Sequence, residues 1–221
     1  MNASGRRAAL AALAVVLYAT MWLGWVLNWS WLVTADTSTL DAAHRVGVEH
    51  HAWVTFWNAL CTVFSPAVIR LLTLGLIAYE LVRRRPRIAL FLFASIELSG
   101  LLTQGAKFLA DRPRPDTAAV YASSTSFPSG HALGTMVAVL VLAAVYLPTQ
   151  GRAVRVAATV AGTLVVVCVG VGRVALNVHH LSDIVAGWAL GYLYFTICLW
   201  VLRPPLLMAT VETPEAPGTE R

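Results

Sequence analysis

The sequence predicts an all-α protein, a polytopic bundle of six transmembrane helices with an interfacial helix in the first extracytoplasmic loop. Composition is the first reason, because 58% of the 221 residues are hydrophobic and 12% are charged, against about 25% charged in a typical soluble protein. The second is a series of apolar stretches that approach the roughly 20 residues needed to cross a bilayer. These stretches lie near 8–28, 66–83, 88–108, 130–147, 154–172 and 181–202.

The N-terminal part contains two features that need separate interpretation. The first apolar stretch follows Arg6 and Arg7 but is longer than the core of about 7–15 residues found in signal peptides, so we interpret it as a span. Residues 29–65 carry four tryptophans. Tryptophan favours the water–lipid boundary, so this region is expected to form a loop and a helix in the interface.

Arginines predict the orientation of the chain in a cell membrane. Short arginine-rich segments at 6–7, 83–87, 152–155 and 203 all fall on one face of a six-span bundle. Such segments are typical of cytoplasmic loops, so both termini are expected in the cytoplasm. The net charge of +5 therefore indicates membrane topology and no nucleic-acid partner. Residues 1–203 are predicted to form one membrane domain, and the proline-rich residues 204–221 a disordered cytoplasmic tail.

Some basic residues lie against this trend, on the extracytoplasmic side. In Lys107–Pro115, Lys107 closes the third span and Arg114 follows in a loop stiffened by two prolines. Arginine offers a planar fork to phosphate oxygens, and lysine offers a point charge. An anionic substrate would explain both residues. The alternative is a lysine that snorkels to the surface beside a basic rim.

The segment Pro128–His131 opens the fourth span. Ser129 suits a helix N-cap, and Gly130 lets an anion approach the backbone. Free N–H groups at a helix start bind phosphate well, and His131 lies at that end. The alternative is a capped helix whose histidine merely marks the membrane interface.

A third polar segment joins the fifth and sixth spans. Arg173 ends the fifth span, and His179 and Asp183 are four residues apart, so they share one face of a helix. Asp183 can accept the Nδ1 proton of His179 and leave Nε2 free as a nucleophile, whereas His180 is expected to point elsewhere. Nearby cations would lower the pKa of His179 and Asp183 would raise it, and the sequence does not decide between them. The alternative is a purely structural His–Asp pair.

Together the three segments resemble the type 2 phosphatidic acid phosphatase superfamily. Its signature reads K-x6-R-P, then P-S-G-H, then S-R-x5-H-x3-D. The matching residues here are Lys107, Arg114–Pro115, Pro128–His131, Arg173, His179 and Asp183. One position departs from the signature, since Gly172 stands where the family usually has serine. That change removes a hydroxyl next to the pocket and weakens one expected phosphate contact.

The resemblance implies a metal-independent lipid phosphate phosphatase of the membrane, with its active site on the extracytoplasmic face and no cofactor. It implies that His179 attacks phosphorus to give a phosphohistidine, that Asp183 orients it, and that His131 serves as acid and base. The implied phosphate ligands are Lys107, Arg114, Ser129, Gly130 and Arg173. The implied partners are the bilayer and an amphiphilic substrate, such as a polyprenyl diphosphate, phosphatidic acid or phosphatidylglycerophosphate. The sequence does not indicate an oligomeric state.

Other functions and residues remain to be weighed. A lipid phosphotransferase would use the same residues, as would a vanadate-dependent haloperoxidase, and a non-catalytic, transporter-like membrane component would need none of them. Glu97 lies mid-span and is expected to play a structural role with a buried partner. Arg70 is expected to snorkel. Asp111 and Arg112 are candidates for tuning substrate access. His44, His50 and His51 lack the companion ligands of a metal site.

Overall fold

The computed structural model describes residues 3–202, and in that range it contains α-helices, one π-helical segment and no strand. The prediction of an all-α protein is thus confirmed for these residues. The tail predicted at 204–221 lies outside them. The helices are α1 (Ala3–Val26), α2 (Ser30–Glu49), α3 (His51–Val63), α4 (Pro66–Val82), α5 (Pro86–Leu92), α6 (Ser99–Ala110), α7 (Gly130–Tyr146), α8 (Arg152–Ala175) and α9 (Leu181–Leu202).

Each predicted span coincides with a helix or with a run of joined helices. Five helical stretches are long and apolar enough to cross a membrane: Gly5–Val26, His51–Val82, Pro86–Ala110, Arg152–Ala175 and Leu181–Leu202. The remaining predicted span corresponds to α7, an apolar helix of 17 residues. The chain is a multi-pass membrane protein, and the number of six transmembrane spans stays a prediction.

The region predicted as a loop with one interfacial helix is instead helical almost throughout. Helices α2 and α3 occupy it, and α3 leads through Phe64 and Ser65 directly into α4. Ser65 caps α4, because its Oγ accepts a hydrogen bond from the Val68 N–H at 3.3 Å, and Pro66 fits the first helical position. The predicted loop is therefore wrong, and the position of α2 and α3 relative to a membrane interface remains untested.

Helix α7 occupies the centre of the bundle and packs against α8 and α9. Its buried face joins α5, the π-helical segment and α9 in the main hydrophobic core. Two glycines of α9 allow the closest approach. A Cβ atom at Gly187 would lie 2.7 Å from the Ser129 carbonyl oxygen, and one at Gly191 would lie 2.9 Å from the Leu133 carbonyl oxygen. This contact holds the second and third turns of α9 against the start of α7.

The third span is not a regular α-helix. Between α5 and α6, residues Phe93–Glu97 form a π-helical segment, and the Leu98 N–H donates to the Phe93 carbonyl five residues earlier at 3.3 Å. Such segments insert one extra residue into a helix and are frequent at functional sites. Here the segment sets the rotation of α6, which carries Lys107, relative to α5.

Candidate active site

A cleft of about 660 Å³ lies between α3, α4, α6 and the loop that precedes α7. It brings together residues from all three polar segments. Of the eight site residues predicted from the sequence, six line the cleft, namely Lys107, Arg114, Gly130, His131, Arg173 and His179. The other two, Ser129 and Asp183, are fully buried behind it.

His179 and Asp183 form the buried pair that their spacing predicts. The His179 Nδ1 atom lies 3.3 Å from Asp183 Oδ2, and the side chains are 2% and 0% exposed. His179 follows α8 in a short turn, and Asp183 lies in the first turn of α9. A carboxylate at Nδ1 fixes the proton there, so Nε2 carries the free lone pair and faces the cleft.

Asp183 is itself held by Arg112, a residue that the sequence suggested only as a candidate for tuning substrate access. Arg112 Nη1 donates to Asp183 Oδ1 at 2.7 Å and to Ser182 Oγ at 2.7 Å. Its other amino nitrogen, Nη2, donates to Asp36 Oδ2 at 2.8 Å. Arg112 is 4% exposed and stacks on Trp25, whose ring centroid lies 4.7 Å from its Cζ atom. Arg112 is buried and does not line the cleft, so its position does not support a role in tuning substrate access.

Asp36 of α2 completes this network and was missed entirely. Its Oδ1 accepts the Ser182 N–H at 2.9 Å, and its Oδ2 accepts the Ser182 hydroxyl at 2.6 Å as well as Arg112. Asp36 is 2% exposed. A buried carboxylate needs such partners, and here it ties α2 to the start of α9. The only signal in the sequence is an aspartate within the tryptophan-rich residues 29–65.

His180 also contacts Asp183 and does not point away from it. Its N–H donates to Asp183 Oδ2 at 2.9 Å, and its Nδ1 lies 3.3 Å from the same oxygen. The backbone donor makes this contact independent of the side chain at position 180. Asp183 therefore accepts a main-chain hydrogen bond that fixes its position in the turn before α9.

Arg114 reaches the reactive nitrogen of His179. Its Nη1 atom lies 3.2 Å from His179 Nε2 and donates to the Val178 carbonyl at 2.6 Å, while its Nε donates to the Ser124 carbonyl at 2.6 Å. Burial, together with the charge of Arg173, lowers the pKa of Arg114 to about 10. Since that value is well above 7, Arg114 stays charged at neutral pH and can transfer its donors to an anion.

Lys107 occupies the last turn of α6 and is directed at the same loop. Its ammonium group donates to the Thr125 carbonyl and, at 3.4 Å, to the Ser126 carbonyl. The side chain is buried yet lines the cleft. Lys107 and Arg114 therefore both donate to carbonyl groups of residues 124–126. An incoming phosphate would offer them stronger, charged acceptors.

Ser129 and His131 sit at the start of α7, as the sequence predicts. Ser129 Oγ accepts the Ala132 N–H at 3.4 Å, and the Ser129 N–H donates to the Asp183 carbonyl at 3.0 Å. Gly130 and His131 line the cleft beside His179. The hydroxyl of Ser129 acts as the N-cap of the helix, so Gly130 and the following N–H groups are the part of this turn that faces the cleft.

Arg173 lines the cleft from the last turn of α8. It is 7% exposed, it lies beside the Cys61 thiol, and its Nε atom has no hydrogen-bond partner within residues 3–202. A buried guanidinium with an unused donor is suited to binding an anion. With Lys107 and Arg114, it makes the wall of the cleft strongly positive.

The acid–base state of His179 follows from this setting. Burial is the largest influence and lowers its pKa, Asp183 opposes the change, and the charges of Arg173 and Arg114 lower it further, to about 3. The question left open by the sequence is thus answered in favour of the neutral imidazole. At neutral pH, His179 Nε2 is unprotonated and able to act as a nucleophile.

Comparison with known proteins agrees with the motifs. The model of the PAP2 superfamily matches residues 88–205, which is more than half of the chain. The chain belongs to the PAP2 superfamily. The three signature segments all fall within the matched range, whereas α1 to α4 and Asp36 precede it.

Two known proteins resemble this PAP2 chain. Phosphatidylglycerophosphatase B of Bacillus subtilis (strain 168) is 37% identical over 99 residues, which cover 43% of this chain and 48% of that protein. The match thus spans about half of the relative's length. The crystal structure of a transmembrane PAP2-type phosphatidylglycerolphosphate phosphatase from Bacillus subtilis superposes with a TM-score of 0.73. It covers 95% of this chain and 98% of that one at 21% identity, and therefore shows a shared fold.

The departure from the PAP2 signature at Gly172 has a structural reason. A Cβ atom at this position would lie 2.7 Å from Cys61 Sγ and 2.9 Å from Trp57 Cε3. The glycine lets α3 pack closely on the last turn of α8, beside Arg173. Cys61 and Trp57 occupy the space that a serine side chain would need.

Proposed function

We propose that this protein is a membrane phosphatase that hydrolyses a lipid phosphate or diphosphate through a phosphohistidine on His179, at the extracytoplasmic face. The observation that carries the proposal is the convergence of three cations and two histidines on one cleft of a membrane-embedded bundle. Lys107, Arg114 and Arg173 provide the charge needed to bind a phosphoryl group and to stabilise its transition state.

In the first half-reaction, His179 Nε2 forms a bond to phosphorus while the bond from phosphorus to the leaving oxygen breaks. This is the ester bond of a lipid phosphate or the anhydride bond of a lipid diphosphate. The leaving oxygen takes a proton from protonated His131, so that an alcohol or a lipid monophosphate departs. Arg114, whose Nη1 atom lies 3.2 Å from Nε2, is placed to donate to the phosphoryl oxygens during the attack.

In the second half-reaction, His131 takes a proton from water, and the water oxygen bonds to phosphorus as the bond from phosphorus to Nε2 breaks. Inorganic phosphate leaves, and His131 is again protonated for the next cycle. Asp183, anchored by Arg112, stabilises the positive charge on the His179 ring while the phosphohistidine exists. Metal chemistry is not required for either step, because three side-chain cations carry the charge stabilisation.

The substrate class follows from the setting. A cleft among apolar helices favours an amphiphile whose tails remain in lipid. The names of the relatives favour phosphatidylglycerophosphate, a lipid that carries a terminal phosphate monoester. We favour transfer to water over transfer to another lipid, because the names of the relatives are those of phosphatases.

A panel assay with the purified protein in detergent tests this function. Phosphate release is measured from phosphatidylglycerophosphate, phosphatidic acid and a prenyl diphosphate, with excess chelator, with and without an added lipid or sugar acceptor. We expect release from at least one lipid without an acceptor, unaffected by chelator and nearly abolished by His179→Ala. Normal rates in the folded His179→Ala variant, or a loss of activity in chelator, would contradict the proposal.

A further inference from the structure

The cleft extends well below the catalytic residues, and we propose that Arg70 forms a second anion site at its inner end. This site would bind the phosphodiester of a lipid whose two phosphate groups are separated by a glycerol unit. The inference rests on the proposed function and narrows its substrate class. It replaces the sequence-based interpretation of Arg70 as a snorkelling side chain.

The side chain of Arg70 packs against a glycine of the facing helix, α6. It belongs to α4, is partly buried and lines the cleft. Its guanidinium rests on Gly100 of α6, where any Cβ atom would overlap it. A charged group inside a span is energetically costly and is usually paired or functional. The presence of Arg70 at this position, with a glycine opposite it, therefore needs an explanation.

Glu97 accounts for only part of this charge. It lines the cleft one turn below Gly100 and interacts electrostatically with Arg70. Its Oε1 atom is buried and has no hydrogen-bond partner within residues 3–202, Arg70 included. A guanidinium carries five N–H donors. The charge of Glu97 therefore faces Arg70 without using those donors on Oε1.

The depth of Arg70 is fixed by the face of α6 that lines the cleft. Gly100, Gln104 and Lys107 all line it and follow the spacing of one helix face. With a rise of 1.5 Å per residue, the guanidinium on Gly100 lies about 10 Å below the level of Lys107. Lys107 and Arg70 can thus bind two anionic groups of one ligand, the first at the outer end and the second deeper.

This separation distinguishes three kinds of lipid. In a diphosphate the two phosphorus atoms share one oxygen, so both stay near Lys107 and neither reaches Arg70. Phosphatidic acid has one phosphate and offers Arg70 no anion. In phosphatidylglycerophosphate, three carbons and two ester oxygens separate the phosphates, and long side chains at both ends cover the remaining distance. Its tails can leave past Leu101, which lines the cleft and is 71% exposed.

The space between α4 and α6 supports this path. Helix α4 packs on α5, the π-helical segment and α7, and makes few contacts with α6. The π-helical segment closes the floor at Glu97, and the gap above it leads from Arg70 to His179. A lipid can therefore enter sideways, with its terminal phosphate toward the histidines and its phosphodiester beside Arg70.

The experiment compares Arg70→Gln with the unaltered protein on phosphatidylglycerophosphate and on phosphatidic acid with the same acyl chains. We expect kcat/KM on the first lipid to fall about 10- to 100-fold, mainly through KM, because one charged hydrogen-bond set is lost. On phosphatidic acid it should change less than about twofold, since that lipid makes no such contact. Arg83→Gln, an exposed arginine at the end of the same helix, serves as control and should change neither rate.

Gly100→Ala provides a second variant that removes no charge. It displaces the Arg70 guanidinium and should lower activity on phosphatidylglycerophosphate selectively, so it decides the matter if Arg70→Gln does not fold. Equal losses on both lipids, or no loss on phosphatidylglycerophosphate, would overturn the second anion site and leave the phosphatase function standing. Hydrolysis of neither lipid by the unaltered protein would overturn the second anion site. The phosphatase function would fall only if the prenyl diphosphate of the panel assay were not hydrolysed either.

Discussion

The two carboxylate oxygens of Asp183 contact different partners. Its Oδ2 atom faces His179 and the His180 N–H, while its Oδ1 atom accepts from Arg112, which in turn binds Asp36. Because Arg112 is held from both sides, Asp183 cannot rotate without breaking a charged hydrogen bond. The orientation of His179, the proposed nucleophile, therefore depends on Asp36 of α2, which does not line the cleft.

Replacing Asp36 tests this dependence. Asp36→Asn leaves Arg112 with one anionic partner, and we expect kcat to fall about 10- to 100-fold with KM little changed, the effect of losing one hydrogen bond to a charged group. Asp41→Asn, an exposed position on the same helix, is the matched control and should behave like the unaltered protein. Unchanged kcat in a folded Asp36→Asn protein would show that His179 is positioned without α2.

The lowered pKa of His179 predicts an unusual pH profile. An ordinary histidine takes up a proton as the pH falls below about 6.5, which would block attack. With a pKa of about 3, His179 stays neutral until the pH falls to about that value. After correction for ionisation of the substrate phosphate, kcat/KM should therefore show no acid limb attributable to a histidine between pH 7 and 5. A remaining limb near pH 6.5 would mean that His179 titrates as it does in water.

At the scale of elements, the contact between α3 and α8 depends on Gly172. Gly172→Ser restores the usual family residue but forces its Cβ into Cys61 and Trp57. We expect a loss of about 1–3 kcal/mol of stability from this overpacking, measured as a lower thermal midpoint in detergent. Gly105→Ser should have little effect, because nothing lies within 4 Å of a Cβ at that position.

The same contact can be relieved by a second change. Cys61→Ala removes the sulfur that a serine side chain would meet, so the double variant should recover part of the midpoint lost in Gly172→Ser. If Gly172→Ser alone were as stable as the unaltered protein, α3 would not press on α8 as the structure indicates. Packing against α3 would then not explain why this chain has glycine where the family usually has serine.

At the scale of the whole molecule, the orientation in the membrane is the main untested prediction. Tyr121 is 92% exposed in the loop before α7, and Gln150 is exposed in the turn between α7 and α8. A six-span topology puts them on opposite sides. An impermeant thiol reagent applied to intact cells should label Tyr121→Cys, and Gln150→Cys only after permeabilisation. Labelling of both variants from the same side would contradict the topology. The unaltered chain measures the background labelling of its native cysteines.

Sequence reasoning located the spans and the cleft because both depend on strong local signals. Apolar stretches of sufficient length become helices in lipid, where every backbone group must bond internally. The signature spacing brought the two histidines and three cations together at the ends of those helices. Local signals failed where contacts join distant residues, as for Asp36 and Ser182, which are 146 positions apart. They failed as well in residues 29–65, where interfacial tryptophans gave no indication of nearly continuous helix.

The central claim is that His179 is the nucleophile of one cationic cleft, and trapping the covalent intermediate tests it most directly. His131→Ala should stall after the first half-reaction when given an aryl phosphate, whose leaving group needs no proton from an acid. Mass spectrometry of the rapidly quenched protein should then find phosphate on His179, and none in the double variant His131→Ala/His179→Ala. Phosphate on another residue, or none on His179, would contradict the account.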